Sequence, residues 1–299
     1  MRVKKVRDER VCTAAPDRRI IRKDFACRRP SPAETGSGRK GEDMAGIALI
    51  TGASSGLGQE IVRQLHREKY GEIWAVARRR ERLLALQELT EIPVRAIPLD
   101  LTDESAIGEL EALLGEEKPR ISLLVNAAGF GKIGNYAEVP RRDSDRMIDL
   151  NCRAAVDLCT LAIPYMGRGS HIMNICSTAG FQPFPQLNVY AASKAFLYRY
   201  SRALRFELFG TGISVTAVCP YWVKDTEFIP GARETKGSGK IRNFPLASGK
   251  KLVVSWALRD TYMGFPVSTP GPVCTVHRIF AKFIPAEAMM GIWELIRRA

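Results

Sequence analysis

The 299 residues are enough for one large domain or two small ones with a substantial core. Hydrophobic residues make up 45% and charged residues 26%, as in ordinary soluble domains, and no apolar run approaches the roughly 20 residues needed to cross a bilayer. The net charge of +13 divides nearly evenly between residues 1–43 and the longer remainder, with no basic stripe interleaved with aromatics, which argues against nucleic acid as a partner.

The seven cysteines (Cys12, Cys27, Cys152, Cys159, Cys176, Cys219 and Cys274) are odd in number and form no C-x-x-C. They read as thiols of a reducing compartment, and a cytoplasmic location is expected. His66, His171 and His277 are too scattered to suggest a zinc site, so no metal is expected.

Residues 1–44 are rich in Arg, Lys, Pro and Ser and lack apolar periodicity. Such a segment cannot bury enough surface to offset its ordering entropy, so a disordered basic tail is expected, with Met44 an alternative start. From Ala45 the pattern changes. Apolar runs at 46–51, 72–77, 94–100, 121–127, 171–177 and 213–219 alternate with helically spaced stretches at 57–70, 80–90, 103–114, 143–163 and 189–209. Strands this apolar, joined by helices, imply a parallel sheet covered on both faces. The fold class is therefore α/β: a doubly wound, Rossmann-like parallel sheet forming a single domain over 45–299. Its ligand belongs at the carboxyl ends of the strands.

The first strand runs into Thr51-Gly-Ala-Ser-Ser-Gly-Leu-Gly58. Glycines at 52, 56 and 58 allow a tight turn and a close approach of backbone to a pyrophosphate, at a helix end that offers free N–H donors. The second strand ends in Ala77 followed by Arg78, Arg79 and Arg80, where an NAD enzyme would carry an acid. Arginines pair with a 2′-phosphate through charge-assisted hydrogen bonds, which favours NADP. Asp100, closing the third strand, is a candidate adenine contact.

Ser177 ends the fifth strand, and Tyr190 and Lys194 follow at i and i+4 on the next helix. That spacing turns the phenol and the ammonium to one side, where the cation is expected to lower the tyrosine pKa toward working pH. Ser177 supplies a second donor to the same oxygen. Beyond the sixth strand, residues 220–275 are irregular and rich in Gly and Pro, and about 221–250 reads as a substrate loop. The tail from Cys274 is amphipathic and broken at Pro285, giving C-terminal helices.

TGASSGLG (51–58), NAAG (126–129), Asn151 in DLNCRA, Ser177 in NICSTAG and YAASK (190–194) together resemble the short-chain dehydrogenase/reductase family across about residues 45–225. The resemblance implies an NADP(H)-dependent exchange between a small-molecule carbonyl and its alcohol. It implies a catalytic set of Asn151, Ser177, Tyr190 and Lys194: Tyr190 as proton donor, Ser177 positioning the carbonyl, Lys194 on the nicotinamide ribose and Asn151 anchoring a proton-relay water. It further implies cofactor contacts from Gly52, Ser54, Ser55, Gly56, Leu57, Gly58, Arg78, Arg79, Asp100, Leu101, Asn126, Ala127, Gly129, Tyr190, Lys194, Pro220, Val223 and Thr226. A homodimer or homotetramer through helices 143–163 and 189–209 is expected on the same basis.

The chain departs from the family after the sixth strand, where P-G-x-x-x-T becomes Pro220-Tyr-Trp-Val-Lys-Asp-Thr226, with Tyr221 for Gly and Thr226 one position late. Phe181, Pro183, Phe184, Tyr221, Trp222 and Phe228 flank the strand ends and suggest a pocket for a lipophilic substrate such as a steroid or fatty-acyl ketone. Two rival readings are weaker. A serine hydrolase lacks the G-x-S-x-G elbow and a placed histidine. A catalytically silent NADP-binding regulator would not need Tyr190 and Lys194 together.

Overall fold

The computed structural model describes residues 46–236, 241 and 246–298. The basic tail at 1–44 and residues 237–240 and 242–245 of the substrate loop lie outside the described residues.

Six strands occupy the places their apolar runs predict: β1 (Ile47–Thr51), β2 (Glu72–Ala77), β3 (Val94–Pro98), β4 (Ile121–Asn126), β5 (His171–Ile175) and β6 (Ser214–Val218). β7 (Val223–Lys224) and β8 (Ser248–Gly249) pair only with each other, and β9 (Val267–Ser268) joins the main sheet. That sheet is parallel throughout, in the order β3-β2-β1-β4-β5-β6-β9. The edge strand β9 is a finding, because two residues are too few to leave a period-2 signature in an irregular region.

The sheet's two faces follow from alternation along the strands. Ala48, Ile50, Ile73, Ala75, Leu123 and Val125 pack on one side with α1 (Gly56–Gln64) and α8 (Lys250–Tyr262). Leu49, Trp74, Val76 and Leu124 pack on the other with α3 (Glu104–Glu117), α5 (Ala154–Ala162) and α6 (Asn188–Glu207). Each fully buried Leu or Ile contributes about 1.5–3 kcal/mol relative to exposure, so both layers hold the central strands firmly.

The chain lays down β1, β2 and β3 toward one edge, then returns to place β4 against the other side of β1. This reversal leaves a crevice at the carboxyl ends of β1 and β4, where Thr51 stands opposite Asn126.

Three helical expectations need correction. The span 143–163 is not one regular helix. α4 (Arg141–Ile148) passes through a wide turn at Asp149–Arg153, in which the Ala154 N–H donates to the Asp149 carbonyl five residues back, and only then enters α5. The span 57–70 ends early at Gln64, with a tight 3-10 turn over Arg67–Lys69, where apolar spacing lapses into His-Arg-Glu-Lys. The span 80–90 divides into α2 (Arg80–Leu84) and a 3-10 turn at Ala85–Leu89. At the other end of the chain, α7 (Phe228–Ala232), α9 (Pro272–Phe283) and α10 (Ala286–Arg298) complete the described elements. No helix among the described residues is long and apolar enough to cross a membrane.

Candidate active site

The glycine turn is built by close backbone contact. The Thr51 hydroxyl donates to the Val125 carbonyl (3.3 Å) and accepts from the Ala127 and Ala128 N–H groups (3.2 Å each), tying β1 to the end of β4. Gly52 has φ +66°, and a Cβ there would lie 2.7 Å from the Ala128 nitrogen. A Cβ on Gly58 would lie 2.3 Å from the Gly52 carbonyl oxygen. Neither position admits a side chain without backbone movement. The result is an α1 N-terminus that opens onto the crevice.

A cavity of about 580 Å³ fills that crevice. Gly52, Ser54, Ser55, Gly56 and Leu57 line its floor, Arg78, Arg79, Asp100 and Leu101 one end, and Ala127 and Gly129 the middle. Ser177, Tyr190 and Lys194 line the other end, with Pro220, Val223 and Thr226 across from the glycine turn. Three expected residues do not line it. Gly58 is spent on packing against Gly52. Asn126 is buried in the sheet, donating to the Asn174 Oδ1 at 2.8 Å, with its own Oδ1 lacking a hydrogen-bond partner. Asn151 sits beneath the wall, only 1% exposed.

At the arginine end, Asp100 stands between Arg78 (3.7 Å) and Arg146 (3.6 Å) and accepts from the Thr102 N–H and hydroxyl. Partial burial alone would raise its pKa, but Thr102 and the two cations together hold it below the usual range. Both terminal nitrogens of Arg79 lie 3.0 Å from the Glu227 Oε2, and one lies 3.3 Å from the Ser54 hydroxyl. Arg82 also binds the Glu227 carboxylate. Sequence reasoning missed Glu227, because its partners are about 150 residues away and nothing local marks it.

At the opposite end, the wide turn after α4 places Asn151 so that it clasps one residue from both sides. Its Oδ1 accepts from the Phe130 N–H (3.1 Å) and its Nδ2 donates to the Phe130 carbonyl (2.9 Å). Nδ2 also donates to the Ser193 hydroxyl (3.0 Å), which donates to the Tyr190 carbonyl (2.7 Å). Lys194 Nζ donates to the Ile175 carbonyl at 2.8 Å. A Cβ on Gly129 would come within 2.8 Å of the Asn151 Oδ1 and 3.3 Å of the Lys194 Nζ, so this glycine leaves space where those two groups approach the cavity. Likewise a Cβ on Gly131 would lie 2.8 Å from the Tyr190 ring.

The electrostatics differ from expectation. Burial pushes the Tyr190 phenol up to about 12, opposed by its hydrogen bond with Ser177. Burial pushes the Lys194 ammonium down. Lys194 Nζ is 5.9 Å from the Tyr190 ring centroid, and burial, not this cation, sets the direction of the Tyr190 shift.

Phe184, Tyr221, Trp222 and Phe228 line the cavity, joined by Phe130 and Leu187, which the sequence did not single out. Phe181 instead packs edge-on against Tyr198 and His277, at 5.3 and 6.0 Å between ring centroids, and Pro183 is also off the wall. Trp293 of α10 backs the lining, edge-on to Phe184 at 5.0 Å, with its indole N–H donating to the Pro185 carbonyl (3.1 Å).

Comparisons with known proteins agree with this architecture. Residues 46–237 match the model of the short chain dehydrogenase family. The chain is similar to sulfoacetaldehyde reductase 2 of Chromohalobacter salexigens, with 38% identity over 191 residues, covering 62% of this chain and 75% of that protein. It is also 38% identical over 188 residues to the NADP-dependent 3-hydroxy acid dehydrogenase of Salmonella typhi, covering 61% and 74%. Among solved structures, a short-chain dehydrogenase from Sphingobium yanoikuyae in complex with NADPH superimposes with a TM-score of 0.69 at 30% identity, over 85% of this chain and 97% of that one. With its parallel sheet, its glycine turn and a match to the family's model over residues 46–237, this chain belongs to the short-chain dehydrogenase/reductase family.

Proposed function

We propose that the protein is an NADP(H)-dependent oxidoreductase that interconverts a carbonyl and a secondary alcohol, with Tyr190 as proton donor to the carbonyl oxygen. The observation that carries this reading is the convergence of Ser177, Tyr190 and Lys194 on the cavity that begins at the glycine turn.

The residues present fit a phosphorylated dinucleotide. Glycines hold open the backbone cradle that a Cβ would fill, and Ser54, Arg78 and Arg79 gather donors at the end where a 2′-phosphate belongs. When bound, the cofactor supplies or accepts hydride at the substrate carbon. The chain itself handles the proton. Ser177 orients the carbonyl oxygen, and the buried phenol of Tyr190 stays protonated until that oxygen takes its hydrogen. Lys194 is poised beside Gly129 to hold the cofactor ribose, while Asn151 fixes the Phe130 backbone and, through Ser193, the start of α6.

For the substrate, the wall formed by Phe130, Phe184, Leu187, Trp222 and Phe228 supports a carbonyl with an apolar flank, a class that includes fatty-acyl and steroid ketones. The test is NADPH oxidation by the full chain across ketones and aldehydes of graded size. The panel includes short anionic carbonyls of the kind named for the relatives. Turnover that rises with apolar flank length supports this reading. Turnover confined to short anionic substrates refutes the lipophilic part, and tight NADPH binding with no turnover at all refutes the enzyme. We also propose a homodimer or homotetramer assembled through α4, α5 and α6, checked by sedimentation.

A further inference from the structure

Glu227 ties two parts of the cavity together. It precedes α7, whose Phe228, Gly231 and Ala232 wall the substrate side, yet its carboxylate reaches across to Arg79 and Arg82 at the start of α2. A hydrogen bond from Arg82, with Arg79 beside it, keeps its carboxyl below the usual range, so it is ionised at neutral pH. Arg79, one of the guanidinium groups that a 2′-phosphate would need, therefore already holds an internal anion, and that anion is anchored to the substrate wall.

The contact is exchangeable. The side chains of Arg79 and Glu227 are 42% and 54% exposed, and ion pairs of that kind contribute little. A phosphate monoester carries about −1.5 to −2 charges and three strong acceptors at neutral pH. It would outcompete one carboxylate for Arg79 and repel that carboxylate once in place. An unphosphorylated adenosine ribose offers nothing that could do so.

We propose that Glu227 is a resident competitor for the 2′-phosphate, and that the phosphate, on taking Arg79, loosens α7 from α2 by leaving Glu227 on Arg82 alone. Glu227 is thus a specificity-determining residue, coupling the identity of the cofactor to the freedom of the substrate wall. The inference rests on the NADP reading above.

The experiment uses the full chain, adenosine 2′,5′-bisphosphate and 5′-AMP, with calorimetry for affinity and hydrogen exchange over residues 228–236 for release. Neither probe carries a nicotinamide, so neither orders the wall from the catalytic side. The bisphosphate is expected to bind more tightly than 5′-AMP and to speed exchange over 228–236. Glu227→Gln should bind the bisphosphate about twofold to fivefold more tightly than the native chain, leave 5′-AMP unchanged, and exchange quickly over 228–236 without ligand. If the bisphosphate is preferred but exchange over 228–236 is unchanged or slowed, or if Glu227→Gln fails to tighten its binding, the role of Glu227 is overturned and the NADP reading stands. If neither protein prefers the bisphosphate, both fall together.

Discussion

The two ends of the cavity are built by different means. The cofactor end is centred on close backbone packing at the glycine turn: strands tied by the Thr51 hydroxyl, glycines where no Cβ fits, and a helix opening at the turn. The substrate end is made of side chains brought in from distant parts of the chain, with Phe130, Phe184, Trp222, Phe228 and, behind them, Trp293 of the last helix. Backbone contacts are unforgiving of one added carbon, whereas a wall of aromatic rings can be altered piecemeal. One end is therefore expected to be fixed and the other open to change.

Substitutions can break or sharpen that contrast. Tyr190→Phe removes the proposed proton donor from the middle of the site and should lower kcat by about 10²–10⁴-fold while sparing NADPH affinity measured by fluorescence. Retained turnover would exclude Tyr190. At the backbone end, Gly58→Ala must push against the Gly52 carbonyl, and overpacking of this sort costs about 1–3 kcal/mol. It should lower both Tm and NADPH affinity. Its counterpart, Trp293→Ala, should raise KM for apolar ketones with NADPH affinity unchanged. If both variants weaken cofactor and substrate alike, the two ends are not separable.

Arg78→Ala should weaken NADPH roughly tenfold or more and NADH hardly at all, because a charge-assisted hydrogen bond contributes about 1.5–3 kcal/mol. Equal losses would remove the phosphate role. The smallest effect concerns alkaline stability. The Tyr190 pKa is raised in the fold, to about 12 against an ordinary value of 10.0, so its contribution is fully present below pH 10 and is lost as pH rises from there to about 12. Tyr190→Phe should flatten part of that decline in chemical denaturation of the cofactor-free protein, and an identical profile would show that the phenol does not titrate there.

The same contrast explains what the sequence revealed. Strands β1 to β6 and the glycine turn were legible because their signals are local: apolar runs, and glycines at fixed offsets after a strand. Tyr190 and Lys194 were legible because four residues make one helical turn. Asn126 was expected at the cavity from the resemblance carried by NAAG, but the pleat turns its amide toward Asn174. The raised Tyr190 pKa was not foreseen, since burial depends on everything packed around the ring. Glu227 and Trp293 were invisible for a related reason: each acts on residues more than 100 positions away.

The wide turn at Asp149–Arg153 has a consequence for how this segment can vary. The wide turn holds one residue more than an α-helical turn, so one residue fewer here would let α4 run straight into α5 as one regular helix. The shortened rod would regain unbroken i to i−4 bonding, and with it local regularity, while swinging Asn151 off Phe130. Length, more than composition, is therefore what this stretch must preserve: point changes on its outer surface should be absorbed, and a single deletion should yield a sturdier helix that no longer holds the Phe130 backbone beside the cavity.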